Sequence, residues 1–336
     1  MKNACFIIPY FGLLPPNFDI FLRTCAENPD FDWLIITDDR SEHPYPRNVH
    51  IEYSTFEEFR ARVQSNFDFH IALQYPYKIC DFRAAFGEIF SEEISDYRFW
   101  GHCDLDQYFG KINEFISEDI LSSYDKILCL GHFTLFRNTP YINTLYRVTD
   151  RSYGQGYKDA FSDSRHWIFD EWPVEKHTSS NRIFKQEGVR TWLCPECFSD
   201  LQPFRSRFQR TLFDYEREDW TDDKIRNEIF LWKNGRLYSC YNELGSLVKQ
   251  EILYAHIRQR KMSYEKYDRC KNEFVIAPDY FKSADEFADD ELLRVLRRSE
   301  LRAVFHPDEI GRKAHLMHGF FQAGVRKIIR IIIERK

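Results

Sequence analysis

The sequence predicts an α/β fold built on a doubly wound, Rossmann-like sheet. Three observations carry this expectation. Short continuous apolar runs of strand length recur through the first 110 residues, most are followed by a stretch with helical periodicity, and the runs close on Pro, Gly or Asp clusters that mark loops. Open sheets of this kind collect ligands at the carboxyl ends of their strands, so those endings are where function is expected.

Taken in order, "ACFIIPYFG" is an apolar run closed by Pro and Gly, the form of a buried parallel strand entering a loop. "NFDIFLRTCAEN" reads as a helix, and "FDWLIITDD" as a second buried strand ending at Asp38 and Asp39. "NVHIEYS" is a short third strand, and "TFEEFRARVQSNF" a helix whose Thr55 and Glu58 stand at capping-box spacing. "YKICDFRAAFGEIFSEEI" predicts a further helix, and "YRFWGHCDLD" the strand after it, tipped by Asp104 and Asp106. "YDKILCLGHFTLFRN" predicts two strands or a strand pair around Gly131, and residues 152–180, polar and aromatic, a loop-rich stretch near the site. "VRTWLC" and "GRLYSCY" read as short strands, "KQEILYAHIRQRKM" as a strand running out into a basic loop. From about Ser283 the pattern turns helical, which sets an expected boundary: a main domain over 1–282 and a helical C-terminal extension over 283–336.

At 336 residues, 43% hydrophobic and 17% aromatic, the chain can build a large core and is not globally disordered. The aromatics suit such a core and equally a cleft that stacks sugars or bases. A net charge of −6 argues against a general nucleic-acid binder. The nine cysteines are scattered, several inside apolar runs where a thiol behaves as a small hydrophobe. Their one close pair, Cys194 and Cys197, lacks the second CxxC that a zinc ribbon needs. The apolar run at the N-terminus is too short for a signal peptide, and no stretch reaches the ~20 apolar residues of a spanning helix. These features read as a reduced, cytoplasmic protein.

Chemistry concentrates in a few places. Two aspartates one residue apart repel and resist desolvation unless a cation sits between them, and Asp104 and Asp106 stand at a strand tip. Mg²⁺ or Mn²⁺ takes such oxygen ligands and keeps positions open for phosphates. A solvated turn is the bland alternative. His256, at the end of a late apolar run, has the chemistry to complete a Mn²⁺ shell, and Arg258, Arg260 and Lys261 just beyond it suit a diphosphate. A core histidine is the alternative there. Lys78 and Asp81, one turn apart, either pair with each other or reach a nucleotide. In the tail, Phe320, Phe321, Val325, Ile328, Ile329 and Ile332 fall at helical spacing among Arg326, Lys327, Arg330, Arg335 and Lys336. Such a basic amphipathic helix lies either on an anionic membrane surface or against the protein's own core or a partner.

Seven segments, "IIPYFG", "LIITDD", "YKICDFRAAFGEIF", "YRFWGHCDLDQYFG", "GHFTLFRN", "FDEW" and "YAHIRQRKM", occur in an order that resembles bacterial GT-A type glycosyltransferases of polysaccharide (capsule or O-antigen) biosynthesis, over residues 3 to 265. The resemblance implies a GT-A nucleotide-diphospho-sugar transferase fold, with a donor half over about 1–130 and an acceptor half over about 131–282. It implies a nucleotide-sugar donor, UDP-linked, and Mn²⁺ or Mg²⁺ held by Asp104, Asp106 and His256. Pro9, Tyr10 and Asp38 would lie around the nucleotide. Lys78, Asp81, Asp104, Arg258 and Lys261 would face the donor, and the "FDEW" acids Asp170 and Glu171 would be catalytic and face the acceptor. The acceptor implied is a glycan or lipid-linked glycan, which would place the protein in the cytoplasm, peripheral at the inner face of the plasma membrane. A sugar nucleotidyltransferase is the alternative within the broad fold, but its usual Gly-rich, Arg- and Lys-bearing early signature is missing from "IIPYFGLLPPN". A non-catalytic carbohydrate-binding protein accounts for the aromatics and leaves the metal-suited acids unexplained.

Overall fold

A computed structural model describes residues 2–172, 177–201, 208, 210–222, 228–258, 260–264 and 267–305. The tail stripe of residues 312–336 lies outside these described residues.

The first three strands are β1 (Lys2–Tyr10), β2 (Phe31–Thr37) and β3 (Val49–Tyr53); helix α1 (Phe18–Ala26) lies between β1 and β2, and α2 (Phe56–Ser65) follows β3. They run parallel with β4 (Tyr97–Cys103) in the order β3-β2-β1-β4. Period-two alternation explains why the runs are apolar on both faces. Cys5 and Ile7 of β1 point into a core with α2, whereas Ala4, Phe6 and Ile8 point into one with α1. Phe6 stacks on Trp33 at 5.5 Å and meets Phe133 edge-on at 5.1 Å, so this second core is largely aromatic. Thr55 caps α2 in the expected capping box, reciprocally with Glu58.

After β4 come β5 (Gln107–Phe109), β6 (Lys126–Leu130), β7 (Phe133–Arg137), β8 (Thr191–Trp192) and β9 (Phe198–Asp200). The large sheet is completed as β4-β7-β6-β8, with β7 antiparallel to both β4 and β6. The doubly wound parallel sheet is therefore only half right: the molecule is a mixed α/β fold with a parallel-rich sheet. The cause is local, since the two residues Gly131 and His132 between β6 and β7 leave no room for a crossover helix.

The last strands are β10 (Thr211–Asp214), β11 (Asp219–Asp222), β12 (Glu228–Lys233), β13 (Arg236–Glu243), β14 (Ser246–Ile252), β15 (Tyr254–His256), β16 (Glu273–Ile276) and β17 (Phe281–Ala284). Five of them form an antiparallel sheet, β14-β13-β12-β16-β17, of which the sequence reading recognised only pieces. Phe230, Trp232, Phe274 and Ile276 on one face pack with Ile20, Tyr108 and Ala255 of the main body. Ile229, Leu231 and Val275 on the other face pack with Leu292, Val295 and Leu296 of the helix Asp289–Phe305. The expected boundary at 282/283 falls inside β17, and the helix beyond it covers this sheet.

Two local departures matter for the site. The helix expected over 77–94 is a 3-10 helix, Pro76–Ala85, followed by one α turn, Phe86–Ile89. Side chains three apart eclipse in a 3-10 helix, and here that brings Lys78 and Asp81 together at 2.7 Å with both fully buried. The thiols are also not all reduced: Cys194 and Cys197 form a disulfide across the short turn Pro195–Cys197. No helix among the described residues is long and apolar enough to cross a membrane.

Lys126 begins β6 with 1% exposure, giving its ammonium to Asn181 and lying 5.1 and 4.9 Å from the Phe136 and Phe184 rings. Burial lowers its pKa to about 8, although Cys129 opposes the shift. Between that value and the ordinary lysine range the unfolded chain holds a proton that the folded chain does not. This residue's contribution to stability therefore rises with pH there, and is lost as pH falls through about 8. In urea unfolding, wild type is expected to gain about 2 kcal/mol on Lys126→Met between pH 7 and 9.5. A difference independent of pH would contradict a buried ammonium at neutral pH.

Candidate functional site

The site is assembled at the carboxyl ends of β1 and β4 by a small three-stranded sheet. β15 pairs antiparallel with β5 and parallel with β9, in a register that sets His256 opposite both Gln107 and Asp200. The Asp-x-Asp segment immediately precedes β5, so this register brings His256 to the acids. Its Nε2 lies 3.1 Å from Asp106 Oδ1 and 3.7 Å from Asp104 Oδ2. The ligand atoms of the three side chains all fall within 4.8 Å of one another, a group of two carboxylates and one imidazole able to hold a metal ion. Backbone bonds pin the arrangement, from Asp104 N–H to His132 O and from Ile257 N–H to Asp106 O, each 3.1 Å.

Behind the imidazole stands Asp200, 1% exposed. It accepts from His256 Nδ1 at 2.8 Å and, at both oxygens, from the guanidinium of Arg258. Burial alone would raise Asp200; the charged His256 and Arg258 that bond to it outweigh burial and hold the carboxyl well below its ordinary range. Burial likewise opposes a charge on His256, but Asp106 and Asp200 raise its pKa to about 10. The proton is thus held where a cation would otherwise balance the acids. His132 stacks on His256 with ring centroids 4.3 Å apart, meets the Tyr254 hydroxyl at 3.1 Å, and is kept neutral by its burial. Arg258 itself has φ +48, an uncommon conformation that turns the chain leaving β15 and costs roughly 1–3 kcal/mol.

A cavity of about 1070 Å³ opens over this group. Of the expected residues, Pro9, Tyr10, Asp104, Asp106, Asp170, Glu171, His256, Arg258 and Lys261 line it. Asp170 and Glu171 pack against Gly131, where an added Cβ would lie 3.1 Å from Asp170 Oδ2 and from the Glu171 carboxyl carbon. Burial raises the pKa of Asp170 to about 8, with Arg83 opposing and Glu171 adding to the shift; burial raises Glu171 too.

Three expected donor residues are placed differently. Asp38 is not among the lining residues; its carboxylate accepts from Gly12 N–H at 2.7 Å, while Asp39 accepts from Leu14 N–H at 2.8 Å, so the two acids shape the loop at the rim. Lys78 and Asp81 are corrected outright: both are fully buried and outside the cavity. Lys78 Nζ donates to Asp81 and to the carbonyls of Ala160 and Arg165, while Asp81 accepts from Trp167 and Phe169 N–H. They fasten the segment that delivers Asp170.

The sequence reading missed Arg83, Asp200 and His132. Arg83 bridges the two acidic groups, donating to Asp104 at 2.6 Å, to Asp170 at 3.1 Å and to the Gly131 carbonyl at 2.5 Å. A signal existed, a lone cation inside the apolar run Phe82–Phe86. Between Arg83 and the His256 proton, the two aspartates are not a bare like-charge pair, so removing one does not simply relieve repulsion.

A model of a family of unknown function (DUF6625) matches residues 6–285. No curated protein and no solved structure matches the chain.

Because His256 is protonated near neutral pH, a cation entering the group must displace that proton. Mn²⁺ binding is expected to release about one proton and to tighten as pH rises from 6.5 to 8.5, by up to ~10-fold per unit. Calorimetry in buffers of different ionisation enthalpy measures both. His256→Ala should abolish the release, and a Mn²⁺ affinity that does not change with pH in the wild type would contradict the assignment.

Proposed function

The chain belongs to the DUF6625 family, and from the geometry of its cavity we propose that it is a metal-dependent glycosyltransferase of GT-A type. It moves a sugar from a nucleotide-diphosphate donor to a bacterial surface glycan, lipid-linked and met at the inner face of the plasma membrane. The observation that carries this reading is the meeting of Asp104, Asp106 and His256 at a strand-end cavity that also holds the buried acid Asp170.

Mn²⁺ or Mg²⁺ on those three side chains would neutralise the diphosphate that leaves. The protein's own residues do the rest. Tyr10 and Pro9, at the end of β1, and the loop held by Asp38 and Asp39 flank the nucleotide. Lys261, on the cavity wall, supplies positive charge toward the phosphates. Arg258 contributes less directly, because Asp200 already holds its guanidinium. An acceptor hydroxyl attacks the anomeric carbon as the sugar–phosphate bond breaks, and Asp170 takes the hydroxyl proton. Arg83 keeps Asp170 ionisable near neutral pH despite its burial. Glu171 beside it hydrogen-bonds the acceptor.

A thermal-shift screen of nucleotides and nucleotide sugars, with and without Mn²⁺, tests the reading. A binding donor should raise Tm by roughly 3–10 °C only when Mn²⁺ is present. Asp106→Ala should lose that shift and all turnover while still folding; unaltered turnover would sink the metal assignment.

If Asp170 is the base it must be ionised. In the wild type kcat/KM should climb with pH until about 8 and then level. Asp170→Asn should remove that limb and slow turnover by roughly 10²–10⁴-fold, and wild-type rates in this variant would exclude the role.

A further inference from the structure

The proposed reaction leaves one feature of this region unused, the disulfide between Cys194 and Cys197. We propose that this pair is a thiol–disulfide exchange site for small thiols, and that its redox state sets how firmly Asp200 holds His256. The coupling to metal rests on the metal reading above; the exchange and its effect on the imidazole do not.

The pair is reachable. Pro195 and Glu196 between the cysteines are exposed, and both cysteines are only half-buried. Cys194 also lines a second, apolar cavity of about 260 Å³ together with Cys129, Phe198 and Tyr215. Of the free cysteines, Cys5, Cys25, Cys103, Cys129 and Cys240 are buried, so they are poor competitors for a soluble thiol.

The path from sulfur to site is short and continuous. Cys197 is followed directly by β9, whose third residue is Asp200. The Cys197 carbonyl accepts from Leu253 N–H at 2.5 Å, one residue before β15 begins. Phe198 then stacks on Tyr254 at 5.0 Å with the rings 9° from parallel. Tyr254 meets His132 at 3.1 Å, and His132 stacks on His256. The cross-link thus closes the turn that starts β9, and the far end of β9 is the carboxylate that orients the imidazole. Residues that orient a metal-binding histidine in this way typically change metal affinity 10–100-fold when lost.

The exchange balances. A thiolate, for example of glutathione, attacks one sulfur, breaks the Cys194–Cys197 bond and forms a mixed disulfide. A second thiolate attacks that mixed disulfide and leaves as the small-molecule disulfide. The protein gains two electrons and two protons and carries two thiols; oxidised glutathione reverses the sequence.

The test uses the full chain equilibrated in oxidised glutathione or in dithiothreitol, with alkylation and mass spectrometry reading the state of each cysteine. The downfield imidazole N–H proton of His256, identified by its loss in His256→Ala, reports the bond to Asp200 without any metal. Reduction should move or broaden that resonance and weaken Mn²⁺ binding, measured by electron paramagnetic resonance, by about 10-fold. Cys194→Ser with Cys197→Ser should reproduce the reduced values and ignore dithiothreitol, whereas Cys270→Ser should respond like wild type. If no disulfide forms in oxidised glutathione, or if the His256 resonance is the same in both states, the proposal is overturned. Failure of both states to bind Mn²⁺ would defeat the metal reading, while the resonance still decides the switch.

Discussion

The site depends on keeping one carboxylate charged where water cannot reach it. Asp200 is buried at the end of β9, and an isolated anion there would be costly by several kcal/mol. It stays ionised because an imidazolium and a guanidinium meet it, with the His132 ring behind. Once that charge is fixed, the rest follows in order. His256 is oriented through Nδ1, its Nε2 is turned toward Asp106 and Asp104, and the chain beyond it must bend at Arg258 to bring a cation back to the same acid. None of these groups could be buried alone; together they form a closed network in which each charge has a partner.

A second network prepares the opposite wall of the cavity. Asp170 is held in a protonation balance by burial on one side and Arg83 on the other. Its delivery is the work of the Lys78–Asp81 pair, which binds the backbone from Ala160 to Phe169 rather than any ligand. Just before it Ile168 adopts φ +55, a conformation that a β-branched residue rarely takes. Strain and burial therefore gather on both sides of the cavity, as expected where a scaffold positions reactive groups at some expense in stability. Arg83 touches both walls, bonded to Asp104 on one and to Asp170 on the other.

Much of this was legible before any coordinates. Continuous apolar runs marked β1, β2 and β4, and the two acids at the tip of β4 marked the cavity, because a buried parallel strand has to end in a polar loop. His256 stood out as a polar residue closing an apolar run. What was hidden depended on pairing between distant segments. Nothing local in "CFSDL" distinguishes Asp200, whose role comes from β9 lying beside β15, 56 residues away. Lys78 and Asp81 look the same on paper whether they face a ligand or each other; the 3-10 geometry that joins them comes from packing. The five-stranded sheet was only partly visible for a related reason, since β12 and β16, short and buried on both sides, carry little periodic signal.

The three-stranded sheet of β5, β15 and β9 also bears on how the chain comes to be folded. Its strands are separated by scores of residues, so closing it carries the entropy of long loops and makes it slow relative to the local βα units near the N-terminus. A chain emerging from the ribosome can form β1 to β4 and expose Asp104 and Asp106 long before His256 exists to meet them. During that interval the acids are solvated and harmless, and the cavity has no inner wall. The centre is thus a late event in biogenesis, completed only when the segment that carries β15 docks on the rest, which makes a correctly oriented His256 a reporter that the whole fold has closed.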